Sequence, residues 1–355
     1  MIENRLRSLG LSPTSHEFPV PPSHNLMRAG IGILAVTGTA LVYFSPFIGA
    51  IVLVLSGWFH WRGSHGYRTP LSALPGRVES RNITAEIPAG ESASRILVLV
   101  ANSEFPESWA DSESSFITLT RAQWSRVLLI LICLAVPLAW LGSRWGNHLW
   151  YQIIGGVLLL LFLVYSLMPF IESAGRDSPD VVLRSTGDAA VLLELAAQLL
   201  KEPLIHTDII LLFAGGNNRD LAGSRQFLSR HEENLVPDST WIINLEQAGS
   251  GEFRYCIGEG CISFWWYDHQ ITAIAKEVMV QHGFNGSGYG YREKLLATLP
   301  FVQQGYRCLT FAGMTPEKNA LYSGGTVQGD NAKDQGLYSR LQVIRQVMEQ
   351  LDNHG

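Results

Sequence analysis

Charge is scarce in this chain. Of 355 residues, 16% are charged and 47% are hydrophobic. The net charge of −5 at pH 7 leaves no basic excess, which excludes nucleic acid as a partner. Cysteine is scarce too, with only Cys133, Cys256, Cys261 and Cys308. No two of them form a C-x-x-C pair, so a zinc knuckle or a redox motif is excluded and buried free thiols are expected. Other signatures are missing as well. His231 opens "HEENL" but lacks the second His of a zincin helix. "GSGEF" and "GSRQF" lack the flanks of a nucleophile elbow. "HGFNGSGYGYREK" is glycine-rich without matching a phosphate loop, and reads as a mobile loop. There is no internal repeat and no low-complexity tract.

What is abundant is apolar length. Residues 29–59, 127–143 and 149–171 carry no charge. A spanning helix needs about 20 apolar residues. The second and third runs each suit one crossing, and the short polar "RWGNH" between them makes a transmembrane hairpin. The first run is too long for one crossing. Ser45-Pro46 lies at its middle, and proline breaks helices. It is expected to cross twice, over residues 29–44 and 47–59, with a single kinked crossing as the alternative. It starts late and runs long for a cleavable signal peptide. Arg5, Arg7, Arg28, Arg62, Arg68, Arg121, Arg126 and Arg176 flank the runs on the side of the long polar segments, and Arg144 lies on the other. The expectation is a multi-pass cell-membrane protein whose soluble parts face the cytoplasm.

The organisation follows. A polar N-terminal arm covers residues 1–25, and a transmembrane hairpin covers 26–61. A soluble domain is assembled from 68–124 and 172–355. Residues 125–171 form a second hairpin inserted in that domain. A hairpin leaves and re-enters on one side of a membrane, so the two soluble pieces can fold together. The first piece alone could hardly bury a core. Helices suit "STGDAAVLLELAAQLL", where Ser185 or Thr186 would cap, "AGSRQFLSRH", "ITAIAKEVMVQH" and residues 335–351. Strands suit "NITAEIP", "RILVLVA", "TDIILLFAG", "TWIINLEQ", "EFRYCIG", "ISFWWYD" and "GYRCLTFAG". Strands alternating with helices predict a mostly parallel sheet covered on both faces. Asp188, after Gly187, is read as a dipole partner in a first helical turn. His231 is read as a C-terminal helix residue and His269 as a local partner of Asp268.

Three blocks carry a family resemblance: "VVLRSTGDAAVLLELAAQLL", "TDIILLFAGGNNRDLAGSRQFLSRH" and "WIINLEQAGSGE". They resemble successive blocks of the co-catalytic di-zinc aminopeptidases and glutamate carboxypeptidase-like peptidases, and the layout resembles membrane-embedded bacterial members. The resemblance implies an α/β fold of the zinc-exopeptidase type. That is a three-layer αβα sandwich on a mostly parallel mixed sheet, with transmembrane helices at the N-terminus and inserted in the domain. It also implies where a zinc site would be. The family's His-x-Asp falls on Asn102 and Glu104, and its bridging Asp on Leu183. The general base falls on Asn217 and the next zinc-binding Glu on Asn218. The Asp after Asn-Leu falls on Glu246, and the last His near Ser323.

Those side chains are poor zinc chemistry. Zinc takes imidazole, thiolate or carboxylate. Leucine offers nothing, and neutral amides suit hard cations better. Asn217 cannot take a proton from water at neutral pH. The expected reading is a membrane-anchored, catalytically inactive pseudopeptidase without zinc or another cofactor. Its partners would be the lipid bilayer and a peptide, small ligand or protein at the cleft. The alternative is a divergent membrane-bound hydrolase with a metal site relocated around Glu104, Glu246 and a histidine.

Overall fold

The computed structural model describes residues 1–21, 24–70, 79–103, 121–145, 149–173, 179–292, 295–314 and 336–353. Its centre is one nine-stranded sheet. The strands are β1 Thr14–Pro19, β2 Glu79–Ile87, β3 Arg95–Asn102, β4 Thr207–Ala214, β5 Thr240–Glu246, β6 Glu252–Glu259, β7 Trp265–Trp266, β8 Tyr289–Tyr291 and β9 Arg307–Met314. Their order is β1-β2-β4-β3-β5-β9-β6-β7, with β8 also on β6. The four central strands β4, β3, β5 and β9 run parallel. β1, β2 and β6 join antiparallel at the flanks.

The central strands read as nearly unbroken apolar runs because helices cover both their faces. The described helices are α1 Ile2–Ser8, α2 His24–Val42, α3 Pro46–Ser64, α4 Arg121–Trp145, α5 Leu149–Ser173, α6 Pro179–Lys201, α7 Ala222–His231, α8 His269–Gln281, α9 Leu299–Val302 and α10 Leu337–Asn353. Leu97, Leu99, Ile243 and Leu309 point to one core with residues of α1, α6, α8 and α10. Val98, Val100, Ile242 and Cys308 point to the other, with α7 and α9. This is a mixed α/β sheet between two helical layers. Cys256, Cys261 and Cys308 are buried free thiols, whereas Cys133 is exposed on α4.

The N-terminal residues are not a polar arm. α1 buries Leu6 in the first core, and β1 pairs with β2 along the register Thr14↔Thr84 to Pro19↔Glu79. An edge strand buries little, here only Phe18, so its sequence stays polar and resembles a loose segment. The helix expected from Ser185 starts earlier, at Pro179, which leaves Ser185 and Thr186 inside it rather than capping it. The glycine-rich stretch read as a mobile loop contains β8, which pairs parallel with β6.

α2, α3, α4 and α5 pack on one another as a separate helical bundle. The first apolar run is broken after Val42, and α3 begins at Pro46 with Ser45 as its N-cap. Within the bundle, Leu53, Leu128 and Phe162 are fully buried. Outward, Phe44, Phe47, Ile130, Leu134, Leu149 and Leu160 are all more than half exposed. Residues Leu149–Leu167 of α5 are long and apolar enough to cross a membrane. Leu26–Val42 and Arg126–Leu138 are shorter apolar stretches. Four crossings were expected, and by length and composition one described helix meets the criterion. Pro46 divides the first run into short pieces.

Candidate functional site

Parallel strands bring their C-terminal ends to one edge of the sheet, and ligand sites of open α/β sheets lie there. Asn102 ends β3 and is paired with Ala214 at the end of β4. Glu246 ends β5 and is paired with Ala312 of β9. Ala101 faces Leu245, so Asn102 and Glu246 end neighbouring strands side by side. The turn after β4 carries Asn217 and Asn218, both partly buried, into the start of α7.

The amides form a directed chain. The Ser224 backbone N–H donates to Asn217 Oδ1 at 2.9 Å. Asn217 Nδ2 donates to Asn102 Oδ1 at 3.0 Å. Asn102 Nδ2 donates to Glu246 Oε2 at 3.4 Å. Each amide accepts at its oxygen and passes a donor onward, and the chain ends on a buried carboxylate. Its first link also serves the fold. α7 starts after Leu221, whose own side chain makes no cap, and Ser224 is the third residue of the helix. Asn217 therefore satisfies one of the orphan N–H groups of a helix start.

Two further residues hold this arrangement, Asn82, which sequence reasoning passed over, and Asp188, which it read differently. Asn82 of β2 accepts from Gly215 N at 3.0 Å and donates to Gly223 O at 2.8 Å. It locks the strand end to the helix start. Gly223 must be glycine here, because a Cβ would lie 2.2 Å from Gly215 O. Asp188 is not in a first helical turn, since α6 begins well before it. It is 2% exposed and accepts from Gln247 N at 2.9 Å and Ala248 N at 2.8 Å. It thereby fixes the turn directly after Glu246, where Gln247 takes a φ of +53°. A signal existed: Asp188 shares a helical stripe with the buried Val191, Leu192 and Leu195, where a charge needs partners.

A second buried carboxyl lies in the same layer. Glu259, at the end of β6, is fully buried. It accepts from Tyr267 Oη at 2.9 Å, from Leu296 N at 2.6 Å and from Thr298 Oγ1. Tyr267 Oη also meets Thr310 Oγ1 at 3.0 Å. Burial pushes the Glu259 carboxyl up to about 7, against the pull of those hydrogen bonds, and the charge of Glu246 adds to the rise. Burial likewise raises the Tyr267 hydroxyl and the Cys308 thiol well above their usual range.

Asn102, Asn217 and Glu246 are thus brought together, with Asn218 next in the turn. Glu104 and Ser323 lie outside the described residues, as does the side chain of Leu183. Among the described residues the donor set does not fit a zinc ion. Asn102 and Asn217 turn N–H groups into the site, and their oxygens are already engaged. A leucine offers no donor wherever it points. Among the described residues no group of three His, Cys, Asp or Glu gathers. Two histidines bond elsewhere, His231 2.9 Å from Phe227 O and His282 2.6 Å from Gln346, and His206 lies 4.0 Å from Glu91. His269 opens α8 behind its N-cap Asp268, which accepts from Gln270 N and Ile271 N.

No protein-family model and no curated protein matches this chain. Among solved structures it is similar to the glutaminyl cyclase of Porphyromonas gingivalis, at 12% identity over 100% of this chain and 88% of that one, with a TM-score of 0.49. It is similar to the glutaminyl cyclase of Tannerella forsythia, at 13% identity over 100% and 88%, with a TM-score of 0.48. It is also similar to a Zn-dependent exopeptidase from Parabacteroides distasonis, at 11% identity over 100% and 88%, with a TM-score of 0.47. Its structural neighbours are thus glutaminyl cyclases and zinc-dependent exopeptidases, all at low identity.

Proposed function

We propose that this protein is a membrane-anchored pseudopeptidase. Its peptidase-like strand-end site is closed by its own side chains and takes no zinc. The observation that carries this reading is the directed chain from Ser224 through Asn217 and Asn102 to Glu246. In a metal site, oxygens or imidazoles converge on a cation. Here the amides relay N–H donors along a chain whose last link, from Asn102, ends on the Glu246 carboxylate, and an amide stands where a cation would. The general-base position holds an amide that instead caps α7, so water activation has no proton acceptor there. The protein would act through its surface or cleft by binding a ligand or partner.

The membrane part of the reading rests on the bundle. Its outer face is apolar over α2, α3, α4 and α5, far beyond the scattered exposed hydrophobics of soluble proteins. Its connections support paired crossings. β1 leads into α2 and α3 leads back to β2, and β1 and β2 are sheet neighbours. β3 precedes α4 and α5, and the chain returns to β4, again a neighbour. Strands of one sheet lie on one side of a bilayer, so each helical pair must leave and return.

Elemental analysis of the purified full chain tests the site. The expected zinc content is far below one per chain, unchanged in Glu246→Ala. Stoichiometric zinc that disappears in Glu246→Ala would overturn the pseudopeptidase reading and favour the divergent hydrolase.

A further inference from the structure

The site turn, residues 215–225, touches both roots of the α2–α3 hairpin. Val20, four residues before α2 begins, packs on Gly216. A Cβ on Gly216 would meet Val20 Cγ1 at 2.6 Å. At the other root, Gly66 follows the end of α3 by two residues and its carbonyl accepts from Arg225 Nη2. Arg225 also holds the turn itself. Its Nε donates to Asp220 O at 2.8 Å, and Asp220 and Leu221 both carry positive φ, +58° and +55°. Its neighbour Ser224 begins the amide chain.

The α3 root is fastened to the domain around it. His65 Nε2 lies 2.5 Å from Ser263 Oγ, and Gln303 Nε2 donates to His65 O at 2.9 Å. Tyr67 meets Trp265 edge-on at 6.4 Å. The same root carries the residue types of a bilayer interface. Arg62 lies over the rings of Trp58 and Tyr67, at 5.1 and 5.8 Å. Trp58 and Trp61 are each 43% exposed, and Arg68 is exposed. Amphipathic aromatics and arginines collect at the headgroup level of membranes.

Building on the membrane reading above, we infer that the site end of the sheet, with its Asn102–Asn217–Glu246 chain, is seated on the lipid surface. The opposite end of the sheet, where β4 and β5 begin, faces away from the bilayer. The partner at this end of the domain is a lipid surface.

The test uses the full chain with Cys133→Ser, which removes the exposed native thiol. It is reconstituted in phosphatidylcholine vesicles that carry a nitroxide on the lipid headgroup. Single fluorophores are placed at the site end through Glu79→Cys or Arg219→Cys, and at the far end through Ile205→Cys or Val236→Cys. Two positions at each end keep the comparison readable if one variant fails to fold. The expected result is strong quenching at 79 and 219 and little at 205 and 236. Chain that floats with the vesicles but shows equal quenching at both ends, or stronger quenching at the far end, overturns the inference and leaves the membrane reading intact. Chain that does not float overturns both.

Discussion

Glu246 and Glu259 lie buried in the same helical layer, 4% and 0% exposed, and the protein treats them differently. Glu246 ends a central strand and accepts from the amide of Asn102. Glu259 takes three donors, yet its carboxyl is pushed up to about 7. Hydrogen bonds from neutral groups do not offset complete removal from water. The difference shows where this fold keeps a polar group for structure. Glu259 ties β6, Tyr267 and the approach to α9 into one knot. Glu246 ends the amide chain where the central strands end.

The largest break in that comparison should come from Glu259→Ala. It would leave the Leu296 N–H buried without its acceptor and remove the carboxylate that the Tyr267 and Thr298 hydroxyls share, with a cavity behind them. The stranded N–H costs about 1–3 kcal/mol and the cavity adds about as much again, so the loss should reach about 4 kcal/mol. Denaturant or thermal melts in detergent would measure it. A variant as stable as the parent would show that the knot is not formed.

Next comes pH. The folded carboxyl of Glu259 titrates at about 7, against 4.5 for the unreacted group. Between those values the native state keeps a proton that the unfolded chain has released. Stability from this group is therefore fully present below about pH 4.5 and is lost as pH rises through 7. The span corresponds to roughly 3 kcal/mol. The melting temperature should fall from pH 5 to pH 8, and Glu259→Gln should flatten that slope. Glutamine can accept from Leu296 N–H and donate to the two hydroxyl oxygens while holding no titrating proton. A slope that survives Glu259→Gln would assign the effect elsewhere.

The two carboxylates also differ in how far sequence alone could reach them. Glu246, Asn102 and Asn217 sit where strands end and turns begin, at spacings a strand–turn–helix framework preserves. Glu259 depends on Tyr267, Leu296, Thr298 and Thr310, which come from separate segments, and the register of β6 shifts between Cys256 and Gly258. No local spacing announces such a knot. Asp188 was visible as a charge on an apolar stripe, but its partners, Gln247 N and Ala248 N, are backbone groups nearly sixty residues away in sequence. The N-terminal strand was missed for a different reason. An edge strand that buries one side chain carries almost no apolar alternation. The helices of the bundle were legible because they lie in long runs without a charge.

The smallest effect should sharpen the comparison from the Glu246 side. Asn217→Ala removes an acceptor from Ser224 N–H and a donor from Asn102, one neutral link at each end. Loss of a cap costs about 1 kcal/mol, and a neutral hydrogen bond a similar amount, so the variant should lose about 1–2 kcal/mol. Asn217→Asp separates the two roles. Its carboxylate still accepts from the helix start, where a negative charge is favoured. It can no longer donate to Asn102, and it brings a second negative charge towards Glu246 across a single amide. If the site is a closed amide chain, Asn217→Asp should be no more stable than Asn217→Ala despite its better cap, and added zinc should not raise its melting temperature. If the surrounding groups still formed a metal shell, the added carboxylate would recruit zinc and stabilise the fold in proportion to metal concentration. A zinc-dependent rise in the Asn217→Asp melt, absent from the parent, would mean that one substitution is all that separates this site from a working metal centre.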